Sequence, residues 1–119
     1  MLTFDDIVDS FSRVYPKKLV VADDNRSLTY SSLRINGSNL AAFLKKHRIF
    51  KGDRVALLAY NRIEFAEILY ACSKLGVMIV PINFRLSKEE ISEIFKDSNP
   101  KFFFYEKEFL KIKNHIVKN

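Results

Sequence analysis

The chain has one cysteine, no tryptophan, three glycines, three prolines and two histidines. Each shortage closes off a class of function. A single cysteine, Cys72, excludes an internal disulfide and a multi-cysteine metal cluster. With glycine only at positions 37, 52 and 76, neither G-x-G-x-x-G nor a P-loop can be written, so a dinucleotide-binding or kinase-like phosphate cradle is excluded. His47 and His115 stand far apart without cysteine partners, and no metal site is expected. Long apolar runs are also missing. The uncharged stretch from Leu75 to Phe84 falls far short of the ~20 residues that a membrane span needs. The opening Met1-Leu2-Thr3-Phe4-Asp5-Asp6 is acidic where a signal peptide is basic, so the expected location is cytoplasmic.

What is present supports a folded domain. The 119 residues include 11 Phe and 5 Tyr, and 48% are hydrophobic, against the aromatic-poor composition of disordered chains. The formal net charge is +6, which suits anionic partners. Lys45, Lys46, Arg48, Lys51 and Arg54 stand against Asp53 alone, and they read as a solvated surface at a helix end and turn. Residues 101–119 hold a second lysine-rich stretch.

Along the chain, Thr3 can cap a short helix with Asp5 and Asp6 in its first turn. Ile7, Val8, Phe11 and Val14 form its apolar side, and Pro16 stops it. Leu19–Ala22 and Ser27–Tyr30 read as a hairpin around the turn Asp23–Arg26. A helix follows from about Ser31 to His47, with Leu33, Gly37, Leu40 and Leu44 on one face. Gly37 in a helix interior implies close packing against a neighbour.

Beyond Gly52 the texture changes. Val55–Ala59 is a continuous apolar run, as in a strand buried on both faces. Asn61 can cap the next helix, whose inner stripe is read as Phe65, Leu69, Cys72 and Gly76, with Glu64, Glu67 and Lys74 outside. Gly76 ends it, and Val77–Val80 reads as a second buried strand. Ser87 and Glu90 form a capping box for a helix whose core side is Ile91, Ile94 and Phe95. Pro100 breaks that helix. Phe102–Tyr105 reads as a third strand and Glu108–Val117 as a last helix.

The expected class is α/β, a mainly parallel sheet with flanking helices. Its β-α-β-α-β-α core runs from about residue 53 and is preceded by a helix, a hairpin and a long helix. The chain is read as one partial domain, 1–50 leading and 51–119 forming the α/β core. Ligands of such sheets bind at the carboxyl ends of the strands, here Tyr60-Asn61, Ile82-Asn83 and Tyr105-Glu106. Asn83 and Arg85 are the most suggestive polar residues there. Arg85 could meet an anion, but the preferred reading is that both tie the loop to the backbone. No nucleophile, base and orienting group stand together, so no catalytic residue is assigned. Lys101, Lys107, Lys111, Lys113 and Lys118, with aromatics between them, superficially suit nucleic acid. No nucleic-acid-binding signature accompanies them, and nucleic acid is not expected as a partner.

Six spaced motifs carry a family resemblance. They are Leu28-Thr29-Tyr30-Ser31-Ser32-Leu33, Gly52-Asp53-Arg54-Val55-Ala56, Asn61 with Glu64-Phe65, and Ala71 to Gly76. The last two are Pro81-Ile82-Asn83-Phe84-Arg85-Leu86-Ser87 with Glu90, and Asp97-Ser98. In this order they resemble the N-terminal region of the AMP-forming acyl-CoA synthetases, the adenylate-forming or AMP-binding enzymes. Most of the matched residues are scaffold: Gly52 permits the turn into a strand, and Pro81 sits where a strand leaves the sheet.

The resemblance implies an ATP-dependent acid–thiol ligase that uses ATP, Mg²⁺ and CoA and passes through an acyl-adenylate. The family's Ser/Thr/Gly-rich phosphate loop, adenine-binding segment and C-terminal domain come later than residue 119. The chain is therefore expected to be an N-terminal portion of such a ligase, inactive and without cofactor when alone. Its expected partner is the remainder of the synthetase, or a protein covering the surface which that remainder would cover. By the same resemblance, Lys111 and Lys113 fall near positions that contact CoA phosphates. The alternatives are a non-catalytic interaction module, which would expose an apolar patch, or one subunit of a split enzyme, and, less favoured, a basic nucleic-acid binder with strongly salt-dependent affinity.

Overall fold

The computed structural model describes residues 2–60 and 63–117. In chain order the elements are α1 (Phe4–Val14), β1 (Leu19–Ala22), β2 (Ser27–Thr29), α2 (Tyr30–Lys46), β3 (Arg54–Leu58), α3 (Ile63–Leu75), β4 (Met78–Pro81), α4 (Lys88–Ser98), β5 (Phe102–Tyr105) and α5 (Leu110–Ile116). A single 3₁₀ turn, Lys107–Phe109, leads into α5. This is the expected α/β order. The elements fall into two compact units, one holding α1, β1, β2, α2 and α3, the other holding β3, β4, α4, β5 and α5.

In the first unit the three helices pack on one another beside the antiparallel β1–β2 hairpin. Its core is Val8, Leu28, Leu33, Ile63 and Tyr70, with Val20, Val21, Tyr30 and Ala66 packed around it. The Thr3 N–H donates to Asp6 Oδ2 at 3.2 Å as α1 begins, and the Thr29 side chain accepts from the Ser32 N–H at 3.1 Å as α2 begins. The capping residue expected for α3, Asn61, lies outside the described residues.

Two helix faces differ from the sequence reading. On α1 only Val8 and Ser12 are buried, while Ile7, Phe11 and Val14 are exposed. The polar side of the helix docks instead. Asp5 Oδ1 accepts from Ser73 Oγ at 2.6 Å and Asp9 Oδ1 from the Tyr70 hydroxyl at 2.6 Å.

On α3 the buried residues are Ile63, Glu67, Ile68, Tyr70, Ala71 and Cys72. The face expected from Phe65, Leu69 and Gly76 is rotated, and Leu69 is exposed. Glu67 turns inward because Arg26 meets it, with Nη2 to Oε2 at 2.8 Å and Nη1 to Oε1 at 3.3 Å. A paired carboxylate can be buried where a lone one cannot.

The second unit is built on a parallel sheet of order β4-β3-β5. Val55 lies opposite Ile79 on one side and Phe102 on the other; Leu57 lies opposite Pro81 and Phe104. β3 is central, and Val55 to Leu58 are all buried, as a continuous apolar run requires. β4 departs from the expected buried strand. Among the described residues it pairs on one side only, and Met78 is 57% exposed.

Ala56, Leu58, Ile82, Ile91 and Phe109 form the core of this unit. Ser87 and Glu90 form the expected capping box, each side chain accepting from the other's N–H at 3.1 Å. Asn99, in the left-handed region at φ 47, ends α4 before Pro100 is reached.

Candidate functional site

Parallel strands of an α/β sheet expose their last backbone groups at one edge, and ligands gather there. In this chain the edge follows Leu58, Pro81 and Tyr105. Three rings crowd it. Tyr60 lies 4.6 Å from Phe84 and 5.1 Å from Phe109, centroid to centroid, and Phe84 lies 5.9 Å from Phe109. Phe109 is buried, while Tyr60 keeps 37% exposure. The Tyr60 N–H donates to Glu106 Oε1 at 2.7 Å, so the ends of β3 and β5 are tied together.

Asn83 does what the sequence suggested: its Oδ1 accepts from the Arg85 N–H at 2.9 Å and closes the turn after β4. The exposed Arg85 guanidinium carbon lies 5.3 Å from the centre of the Phe84 ring. A cation over an aromatic face, at a strand-end edge, can meet an anionic group.

α5 carries the two lysines singled out for phosphate contact. Ile112 and Ile116 pack toward the core of the unit, which places Lys111 and Lys113 on either flank of Ile112. At 3.6 residues per turn they stand about 200° apart. They do not form one two-lysine clamp, and each would meet a different group. Lys111 is exposed, and Lys113 Nζ lies 3.5 Å from Asn114 Oδ1.

The remaining chemical candidates have structural surroundings. Cys72 is buried, and burial pushes its thiol up to about 12, far from a working nucleophile. His47 ends α2 with its ring 4.5 Å from that of Phe43, and His115 lies exposed on α5. Among the described residues, no group of three His, Cys, Asp or Glu side chains could hold a metal ion, and no helix is long and apolar enough to cross a membrane.

The model of the family described as AMP-binding enzyme matches residues 8–118. The chain belongs to the AMP-binding enzyme family. It is 38% identical over 94 residues to the fatty acid–[acyl-carrier-protein] ligase ScoC of Streptomyces coeruleorubidus, a match covering 79% of this chain and 18% of ScoC. It is 42% identical over 78 residues to the long-chain-fatty-acid–CoA ligase FadD13 of Mycobacterium tuberculosis, covering 66% of this chain and 16% of FadD13.

The inhibitor-bound N-terminal domain of FACL13 from Mycobacterium tuberculosis has a similar structure. Its TM-score is 0.90 at 31% identity, over 96% of this chain and 29% of that one. This member of the AMP-binding family thus spans about a fifth of the length of the curated relatives it matches. Of the three rings the sequence reading named only Tyr60 as a strand end; Phe84 lies in the turn after β4 and Phe109 ends the 3₁₀ turn after β5, and nothing local in the sequence shows that they meet.

Proposed function

We propose that this chain is the N-terminal portion of an ATP-dependent acid–thiol ligase of the acyl-CoA synthetase type. That ligase activates a carboxylic acid as its acyl-adenylate and passes the acyl group to CoA or a similar thiol. One observation carries the reading: the family match runs through nearly the whole chain, residues 8–118. The named functions of the relatives agree with it, since ScoC and FadD13 are both ligases of fatty acids.

In this reading the 119 residues supply scaffold and one edge of the ligand region. They carry no Gly-rich phosphate loop, and glycine occurs only three times. Nothing preorganised stands ready to stabilise the charge of adenylyl transfer, so this polypeptide alone does not turn over. ATP, Mg²⁺ and CoA are cofactors of the complete ligase, and its location is cytoplasmic. Lys111 and Lys113 serve as separate contacts to CoA phosphates, Lys111 being the better placed because it is exposed.

A chimera tests this. The matching N-terminal segment of FadD13 is replaced by this chain, and acyl-CoA formation is measured. An active chimera whose KM for CoA rises when Lys111→Glu is introduced supports both parts of the reading. A folded but inactive chimera contradicts it.

A second reading, a non-catalytic interaction module, is favoured by α1. Its outward side presents Phe4, Ile7, Phe11 and Val14, exposed by 37%, 41%, 42% and 66%. A surface of this kind calls for a covering partner, and the remainder of the ligase is one that both readings share.

A further inference from the structure

α1 presents its two sides in the reverse of the usual order. Carboxylates face inward: Asp5 Oδ1 accepts from Ser73 Oγ and Asp9 Oδ1 from the Tyr70 hydroxyl, both at 2.6 Å. Apolar side chains face solvent, with Phe4, Ile7, Phe11 and Val14 all exposed. A surface helix normally buries its apolar stripe and shows water its polar side. The two hydrogen bonds fix the rotation of α1, so the apolar side is held outward. Phe11 is held as well, its ring stacked 5.3 Å from that of Tyr30.

The intervals along this side are three, four and three residues, the spacing of a seam between two helices. Charge runs along one flank of it. Asp6, in the first turn, and Arg13, in the last, are both exposed. Seven residues apart, they stand on the same flank two turns from each other. A parallel pair of such helices would set like charges side by side. An antiparallel pair about a two-fold axis sets Asp6 beside the partner's Arg13, and does so twice. It also places Phe4 opposite the partner's Val14 and Ile7 opposite the partner's Phe11, with the helix dipoles opposed.

We propose that α1 is a self-association surface, on which a second copy of this chain docks antiparallel through the same helix. The patch is self-complementary, as an isologous two-fold contact requires. Charge complementarity selects this occupant: the flank carries one charge of each sign, so a surface of uniform charge would be repelled at one end. The contact is confined to two helices of 11 residues and falls below the size of a standard interface. Dissociation is therefore expected at on the order of 10–100 µM. The proposal does not depend on ligase activity.

Sedimentation equilibrium of the whole chain, from about 5 to 500 µM, measures the association. The mass is expected to rise from monomer to dimer and to stop there. Val14→Asp should weaken the dimer by roughly tenfold or more. Asp6→Arg and Arg13→Asp should each weaken it by roughly tenfold. An equimolar mixture of these two variants should dimerise again, because each supplies the charge that the other lacks. Circular dichroism melts establish that each variant folds. Asp6 also closes the start of α1, so Val14→Asp and Arg13→Asp keep the proposal testable where Asp6→Arg fails to fold. A monomer throughout the range, or growth beyond the dimer, overturns the proposal. So does a dimer indifferent to Val14→Asp and Arg13→Asp, or a mixture of folded variants that stays monomeric.

Discussion

The ring of Tyr70 fills the space that a side chain at Gly37 would need. A methyl group at Gly37 would stand 2.7 Å from Tyr70 Cγ and 2.9 Å from Tyr70 Cβ, closer than packed carbon atoms approach. The contact joins α2 to α3, and the Tyr70 hydroxyl extends it to Asp9 on α1. Gly37→Ala is therefore expected to destabilise the chain by about 1–3 kcal/mol through overpacking. That outweighs the ~1 kcal/mol that alanine gains in helix propensity. Urea unfolding measures it, and an unchanged or higher midpoint would mean that the ring yields.

The same tyrosine makes stability sensitive to alkali. Burial raises the Tyr70 pKa above its ordinary value of 10.0, and the hydrogen bond to Asp9 adds to the effect. An acid with a raised folded pKa contributes stability that is intact below the unfolded value and lost as pH rises through the folded one. Stability should fall above about pH 10 and fall less steeply in Tyr70→Phe. Melting temperatures followed across that range should separate the two proteins; parallel curves would count against the role given to the hydroxyl.

Asp5 predicts the opposite dependence. Burial opposes its charge, but hydrogen bonds from Ser73 and Thr3 outweigh that and lower its pKa from 3.8. A carboxyl of this kind contributes stability above its unfolded pKa and loses it as pH falls through the folded one. Asp5→Asn should thus lower stability near neutral pH and narrow its gap to the parent chain as the solution is acidified. A gap that stays constant with pH would assign Asp5 a packing role only.

Arg26 and Glu67 form a partly buried pair, with side-chain exposures of 38% and 12%. Arg26→Met leaves the Glu67 carboxylate without its cation and should destabilise by about 1–3 kcal/mol, reduced from the fully buried case by solvent at Arg26. Arg26→Met/Glu67→Met should recover part of the loss. A double-mutant cycle reads the coupling, and strictly additive losses would show that the pair is not what lets Glu67 face inward.

Cys72 should resist thiol reagents while the chain is folded, because burial keeps its thiol protonated at neutral pH. Labelling with Ellman's reagent is expected only at the rate of unfolding, rising with urea. Rapid reaction in buffer would place the thiol at the surface.

Much of the fold was legible because it rests on local rules. The apolar run of β3, the capping box at Ser87 and Glu90, and the close approach at Gly37 are each written in a few adjacent residues. The sequence motifs also carried the family, since they recur at fixed spacing. What escaped was tertiary. Nothing local shows that α1 docks through Asp5 and Asp9 rather than through Phe11, or that Glu67 faces inward, because both depend on partners at least forty residues away, Ser73, Tyr70 and Arg26. β4 reads as buried because a run of apolar residues cannot say how many neighbours its strand will have. The ring cluster of Tyr60, Phe84 and Phe109 is likewise a product of topology, bringing the segments that follow β3, β4 and β5 to one edge.

The central claim is that these residues supply ligase scaffold without a phosphate cradle. ATP–pyrophosphate exchange tests it most directly, run with a mixed set of carboxylic acids on this chain alone and again on the chain fused to the part of FadD13 that follows the matched segment. The account predicts no exchange by the chain alone and acid-dependent exchange by the fusion. Exchange by the 119-residue chain alone would contradict it.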